Sequence, residues 1–240
     1  MDVSVQSIAL AISRISPCKT IAKENPILTE DALTALLAAP PHTRTGIRDR
    51  AILVLLYDTA VRISELLNIK LCDIVLDKRY PYVFITGKGN KERTIQLTDK
   101  AAGHLKEYLR VYHGASPKDA YLFSTTIKGV TDRMSVGNAQ RIIKKYAAQV
   151  RAEGVVLPES VHCHMFRRTR ATNLYQDGVA IELVSTVLGH ARTDTTKNYY
   201  AKASVEQLRD VLESVPIPTE KEEPLWVGNE DEIARRCGLR

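Results

Sequence analysis

The chain has 240 residues, 44% hydrophobic and 26% charged, with a formal net charge of +6. That balance is ordinary for a soluble globular protein able to bury a real core, and the length suits one large domain with extensions. The longest apolar run, over 51–57, is too short to span a bilayer, and the four cysteines (Cys18, Cys72, Cys163, Cys237) form no CxxC or Cys/His ladder that would indicate zinc or a disulfide framework.

The charge is unevenly spread. Residues 216–240 hold six acids and four bases, net −2, which leaves +8 on residues 1–215. A basic body with a mildly acidic tail suggests a polyanion partner. The N-terminus lacks a basic n-region, so no secretory signal is expected. The expected location is the cytoplasm, in association with the nucleoid if the polyanion is DNA.

In chain order, residues 1–25 form a weakly periodic segment, with a helix possible over 3–15. Thr29 followed by Glu30 and Asp31 reads as a helix start. Leu33, Leu36 and Leu37 give that helix its apolar face, and Pro40-Pro41 end it. A second helix is predicted over 48–57, apolar nearly all round and hence central. A third follows over 61–67, with Arg62 early in it.

Residues 82–86 and 93–97 are β-rich runs around Gly87-Lys88-Gly89-Asn90, so the pair reads as a β-hairpin with Lys88 at its bend. Thr98 and Asp99 open a helix with Ala101, Leu105, Leu109 and Tyr112 inward, and 121–123 is read as an added strand. Ser135 starts a long helix with Ala139, Ile142, Ile143, Tyr146 and Val150 inward and Arg141, Lys144, Lys145 and Arg151 outward. Further helices are expected over 164–175 (stopped at Asp177-Gly178), up to Gly189, over 195–200 and 204–214, and over 231–236. The expected fold is mainly helical (α+β) with one small antiparallel sheet, organised as a 1–25 segment, a 26–215 domain and a 216–240 tail.

Cleaving a phosphodiester with a side chain requires a nucleophile, cationic donors for the phosphate oxygens and an acid for the leaving oxygen. Arginine suits the second role because its planar fork pairs with phosphate and stays charged. Two such arginines would neutralise the phosphorane without a metal, and no clustered carboxylate set for magnesium is present. Candidates stand at five places: Arg62, Lys88, His164 with Arg167, His190 and Tyr199.

Thr59-Ala60-Val61-Arg62-Ile63-Ser64-Glu65-Leu66, Thr86-Gly87-Lys88-Gly89-Asn90-Lys91-Glu92-Arg93, the run His164 to Thr172, and Leu188-Gly189-His190 with Tyr199 together resemble the boxes of the tyrosine recombinases (phage integrases and Xer-type resolvases). Any one box is weak alone. All four stand here in family order, across about residues 26–215.

The resemblance implies a site-specific recombinase needing neither cofactor, metal nor ATP. Arg62 and Arg167 would clamp the scissile phosphate. Tyr199 would attack it, leaving a 3′-phosphotyrosine and a free 5′ hydroxyl. Lys88 would protonate the leaving oxygen, His164 would accept the tyrosine proton or shuttle it, and His190 would hydrogen-bond the phosphate. The implied partner is a double-stranded DNA recombination site, gripped by a homo-tetramer in the synaptic complex, the free protein being a monomer. Arg141, Lys144, Lys145, Lys91 and Arg93 are the expected DNA contacts.

Each residue also has an ordinary reading. Arg62 pairs with Glu65 at i,i+3; Lys88 is a solvated loop lysine; His164 and Arg167 share a helix face as many pairs do. His190 is a group at a helix C-terminus, Tyr199 is a core tyrosine with Tyr200 the rival nucleophile, and the basic helix face is solvated surface. Two other functions stay open: an inactive DNA-binding relative, and type IB topoisomerase-like relaxation.

Three departures stand out. The family has glycine where Ala60 stands, with little harm expected from the methyl. Arg168 and Arg170 replace what are often histidine and phenylalanine, which bears on local packing. Only 25 residues precede the domain, where relatives carry a helical core-binding domain, so weak, salt-sensitive DNA binding is expected. The tail, with Leu225, Trp226 and 231–236, is expected to dock on a neighbouring protomer.

Overall fold

The computed structural model of the chain describes residues 26–87 and 92–189. The expected helices over 3–15, 195–200, 204–214 and 231–236, the tail, and Lys88, Lys91, His190, Tyr199 and Tyr200 lie outside those residues.

Helix α1 (Glu30–Ala38) starts where the Thr29 hydroxyl accepts from the Ala32 amide, with Glu30 and Asp31 in its first turn. It buries Ala32, Leu33 and Leu36, while Leu37 is only partly covered. Helix α2 (Arg44–Asp58) begins four residues before the expected start at 48, because the Thr43 hydroxyl takes the Gly46 amide and supplies a cap. Gly46 is required there: a Cβ would come within 1.9 Å of the Pro41 carbonyl oxygen.

Ile52, Leu53, Leu55 and Leu56 of α2 are fully buried. Each contributes roughly 1.5–3 kcal/mol of transfer free energy. That burial on several sides makes α2 the central helix, as its all-round apolar sequence predicts.

Residues 59–61 turn the chain into helix α3 (Ile63–Asn68). Arg62 is the N-cap of α3, not a residue within it, and Glu65 closes a capping box by accepting the Arg62 amide at 2.9 Å. Ala60 takes a left-handed conformation, φ 50°, with its methyl buried.

A 3₁₀ turn (Leu71–Asp73) leads to β1 (Ile74–Val75), which pairs antiparallel with β2 (Tyr82–Thr86), itself paired with β3 (Glu92–Gln96). The two strands of the expected hairpin are therefore present and paired, and β1 is an added short edge. Val83, Ile85 and Ile95 point into the core.

Helix α4 (Asp99–Tyr112), capped by Thr98, buries Ala101, Ala102, Leu105 and Tyr108, with Leu109 and Tyr112 only partly covered. Residues 121–123 do not form the expected strand. Tyr121 makes an isolated bridge to Lys70 and the Leu122 amide donates to Ile69, while Leu122 and Phe123 fill the core. The strand comes just after, as β4 (Ser124–Ile127) paired with β5 (Val130–Arg133) in a second hairpin.

Helix α5 (Val136–Ala152) is capped by Ser135 and buries Ala139, Ile142, Ile143, Tyr146, Ala147 and Val150. Helix α6 (Cys163–Gln176) ends at Asp177, with Gly178 at φ 82°. Helix α7 (Ile181–Leu188) ends on left-handed Gly189, φ 63°.

Two apolar clusters result. The large one joins α1, α2, α4, α5, α6 and the inner face of the sheet. The small one is Ala60, Ala171, Val184 and Leu188, and it holds α7 against α6 and the 59–61 turn. That small cluster fixes where the chain stands as it leaves Gly189. Among the described residues, no helix is long and apolar enough to cross a membrane.

Candidate active site

Four chain segments meet at one place, and each arrives there for a local reason. The cap of α3 presents Arg62. Strand β3 presents Arg93, which stands opposite Ile85 in the hairpin register. The buried side of α6 presents Arg167, and its first turn presents His164. The left-handed end of α7 brings the Leu188 carbonyl and Gly189.

Hydrogen bonds, with one packing contact at Gly189, close these segments into a ring. Arg62 Nη1 donates to Glu65 Oε1 at 2.8 Å. Arg93 Nη2 donates to Glu65 Oε2 at 2.9 Å, and its Nη1 reaches Oε1 at 3.5 Å. The Arg93 guanidinium lies on Gly189, where a Cβ would come within 2.8 Å of its Cζ and Nε. The neighbouring Leu188 carbonyl accepts from Arg167 Nη2 at 2.8 Å, and Arg167 Nη1 donates to the Ala60 carbonyl at 2.6 Å, two residues before Arg62.

The two arginines of the expected clamp thus belong to one constellation, at different depths. Arg62 is 42% exposed and reaches solvent. Arg167 is 1% exposed and forms the floor. A charge at such depth is weakly screened by salt or water, so its field acts strongly on whatever enters above it.

His164 stands on the exposed side of α6, within the fields of the other groups. Desolvation first, then the charges of Arg167, Arg168, His162 and Arg62, hold its pKa below the ordinary histidine value. A depressed pKa leaves the imidazole neutral at neutral pH, the form that can accept a proton. Glu65 shows the opposite balance. Burial pushes its carboxyl up, but the hydrogen bonds and charge of Arg93, with the Arg62 amide and side chain, outweigh this and hold it below the usual carboxylate value.

The expected DNA contacts divide. Arg141 and Lys144 are exposed on α5. Lys145 is exposed as well, but its ammonium sits 4.7 Å over the Tyr146 ring and 3.4 Å from its hydroxyl. Arg151 donates to the Pro158 and Glu159 carbonyls. Arg93 is 18% exposed and both terminal nitrogens point to Glu65. Strand parity is the reason, because Arg93 shares a face with Ile95 and Leu97, and that face is the core side.

Arg168 is buried and donates to the Pro26 carbonyl at 3.1 Å, and Arg170 lies 5.2 Å over the Tyr57 ring. Both therefore serve packing, and the charge of Arg168 also reaches His164. From the sequence, Glu65 is only a rival partner for Arg62, and the Ala60 carbonyl has no role. The alternation Arg93-Thr94-Ile95-Gln96-Leu97 is the signal that places Arg93 inward. Among the described residues, no group of three His, Cys, Asp or Glu is arranged to hold a metal ion.

The phage integrase family model matches residues 26–206. The chain is 34% identical over 195 residues to tyrosine recombinase XerA of Pyrococcus furiosus, covering 81% of this chain and 62% of that protein. It is 35% identical over 185 residues to tyrosine recombinase XerC of Staphylococcus epidermidis, covering 76% of this chain and 58% of that one. It thus spans less than two thirds of the length of either relative.

Among solved structures, a XerA recombinase superposes with a TM-score of 0.66 at 26% identity, over 89% of this chain and 74% of that one. XerH site-specific recombinase, bound to a palindromic difH substrate in a post-cleavage complex, gives 0.62 at 25%, over 79% of this chain and 53% of that one. With a family match reaching across most of its length and that fold beneath it, the chain belongs to the phage integrase family, the tyrosine recombinases.

Proposed function

We propose that this protein is a site-specific DNA recombinase that cuts and rejoins duplex DNA through a 3′-phosphotyrosine, in a catalytic domain over 26–215. Tyr199 attacks the scissile phosphate and expels the 5′ oxygen, which takes a proton from Lys88. His164 accepts the tyrosine proton. Arg62 at the surface, Arg167 from beneath and His190 stabilise the charge that builds on the phosphate oxygens. The phosphodiester is exchanged for a phosphotyrosine of similar energy, so a new 5′ hydroxyl can reverse the step without ATP. Two rounds in a homo-tetramer exchange four strands, and the protein is a monomer when free. The tail over 216–240 docks on a neighbouring protomer, and the work is done on nucleoid DNA in the cytoplasm.

The observation that carries this reading is the ring joining Arg62, Glu65, Arg93, Gly189, Leu188, Arg167 and Ala60. It sets two guanidinium groups and a neutral imidazole at the point where the chain departs toward His190 and Tyr199. The relatives' names and the DNA-bound XerH structure agree with it.

The test is a library of nicked suicide duplexes of randomised sequence, from which covalent protein–DNA adducts are recovered. Wild-type protein and Tyr200→Phe should form the adduct and Tyr199→Phe should not. An adduct that persists in Tyr199→Phe refutes the nucleophile. Relaxation of supercoiled plasmid without joint molecules would point to topoisomerase activity instead.

A further inference from the structure

Arg93 faces inward beside a centre proposed to bind DNA, and its surroundings explain why. Glu65 is 5% exposed, and its carboxylate meets Arg62 on one side and Arg93 on the other. Taken as a unit, Arg62, Glu65 and Arg93 carry a net charge of +1. Without Arg93 the unit is neutral, and the exposed Arg62 is left, among the described residues, as the carboxylate's only cationic partner. A phosphate arriving there would then compete with Glu65 for Arg62.

The guanidinium of Arg93 also packs against Gly189, at the start of the segment leading to Tyr199. Its Nε is buried and has no hydrogen-bond partner among the described residues. The side chain is thus wedged between β3, α3 and the end of α7, and is not turned toward solvent.

We infer that Arg93 is a positioning residue of the active site, not a DNA contact. It satisfies Glu65 so that Arg62 keeps its charge and direction for the scissile phosphate. By lying on Gly189 it also ties the Lys88 hairpin to the segment that delivers the tyrosine. This inference rests on the recombinase reading proposed above.

The experiment is single-turnover cleavage at saturating DNA, using the full chain and the nicked duplex recovered from the library. Affinity is measured in parallel by salt titration. Variants are Arg93→Gln, Arg93→Lys, Glu65→Gln and the double variant Glu65→Gln/Arg93→Gln, each with a thermal melt to establish folding.

Arg93→Gln should cleave about 100-fold more slowly, the scale of a small misplacement of a reacting group, with affinity and salt slope unchanged. Arg93→Lys should recover part of the rate, because it restores the charge but not the two-pronged geometry. The double variant should cleave no more slowly than Arg93→Gln, because with the carboxylate gone Arg93 has nothing left to neutralise.

Several results would overturn the inference. If Arg93→Gln weakens binding and lowers the salt slope by about one while saturated DNA is cut at the normal rate, Arg93 is a phosphate contact. The inference also fails if Arg93→Lys behaves as wild type, or if the Glu65 and Arg93 losses simply multiply. A folded Arg93→Gln that cuts and binds normally overturns it too, leaving the recombinase reading intact. Wild-type protein that yields no adduct overturns both.

Discussion

Ala60 takes φ 50° with its methyl buried among Ala171, Val184 and Leu188, and its carbonyl accepts from Arg167. A left-handed alanine costs about 1–2 kcal/mol relative to its favoured conformations. Glycine would remove that cost, but it surrenders about 0.5–1 kcal/mol in backbone entropy and about 0.8 kcal/mol of buried methyl. These terms nearly cancel, which gives a physical reason why this turn accommodates alanine as well as glycine. Ala60→Gly is therefore expected to leave stability within about 1 kcal/mol of wild type, a melting shift of about 2–4 °C at most for a chain this size. Ala60→Val combines a β-branched residue at positive φ with overpacking that alone costs about 1–3 kcal/mol. It should melt several degrees lower and cleave more slowly, since the Ala60 carbonyl helps to fix Arg167. Calorimetry of both variants checks this, and a valine variant as stable as the glycine one would show that the turn is not constrained as described.

At the scale of elements, what could be read in advance follows from how local the cause is. The starts of α1, α4 and α5 were legible because Thr29, Thr98 and Ser135 are hydroxyl caps that act within one turn. The β2–β3 hairpin was legible from two β-rich runs around a glycine turn. The β4–β5 hairpin was not, because its residues are mostly exposed or half-covered and carry no alternation. Arg62 and the His164-x-x-Arg167 spacing were legible as motifs. The alternation over 93–97 signals the inward turn of Arg93, but its pairing with Glu65 and the burial of Arg167 depend on contacts between distant segments, to which local pattern is blind.

The same distinction sharpens the reading of the basic face of α5. Arg141, Lys144 and Lys145 share that face by helical spacing, but Lys145 is held over the Tyr146 ring. Arg141→Gln and Lys144→Gln should each lower the slope of log K against log salt by about one, weakening all duplexes alike. Lys145→Gln should change it less. Equal effects at all three positions, or none at 141 and 144, would contradict this reading of the face.

At the scale of the whole molecule, the site is a product of tertiary closure. Arg167 and Ala60 are 107 residues apart in sequence, and Arg93 and Glu65 are 28 apart. No local unit can hold the constellation by itself, so a ligand that binds it binds only the folded chain and must stabilise the fold. At a duplex concentration of 100 times the dissociation constant, linkage adds about 2.7 kcal/mol, which is about 5–11 °C in melting temperature for a chain of this length. The chain carries +6 overall, and on the proposed reading phosphate contacts release counterions, so the increment at fixed duplex concentration should shrink steadily as salt rises. Arg62→Gln should reduce the increment by its single contact and preserve the salt trend carried by the rest of the basic surface. Scanning calorimetry with a short duplex across a salt series measures all of these. A melting temperature indifferent to DNA, or an increment that does not fall with salt, would mean that the basic surface and the arginine ring do not form one DNA-binding face.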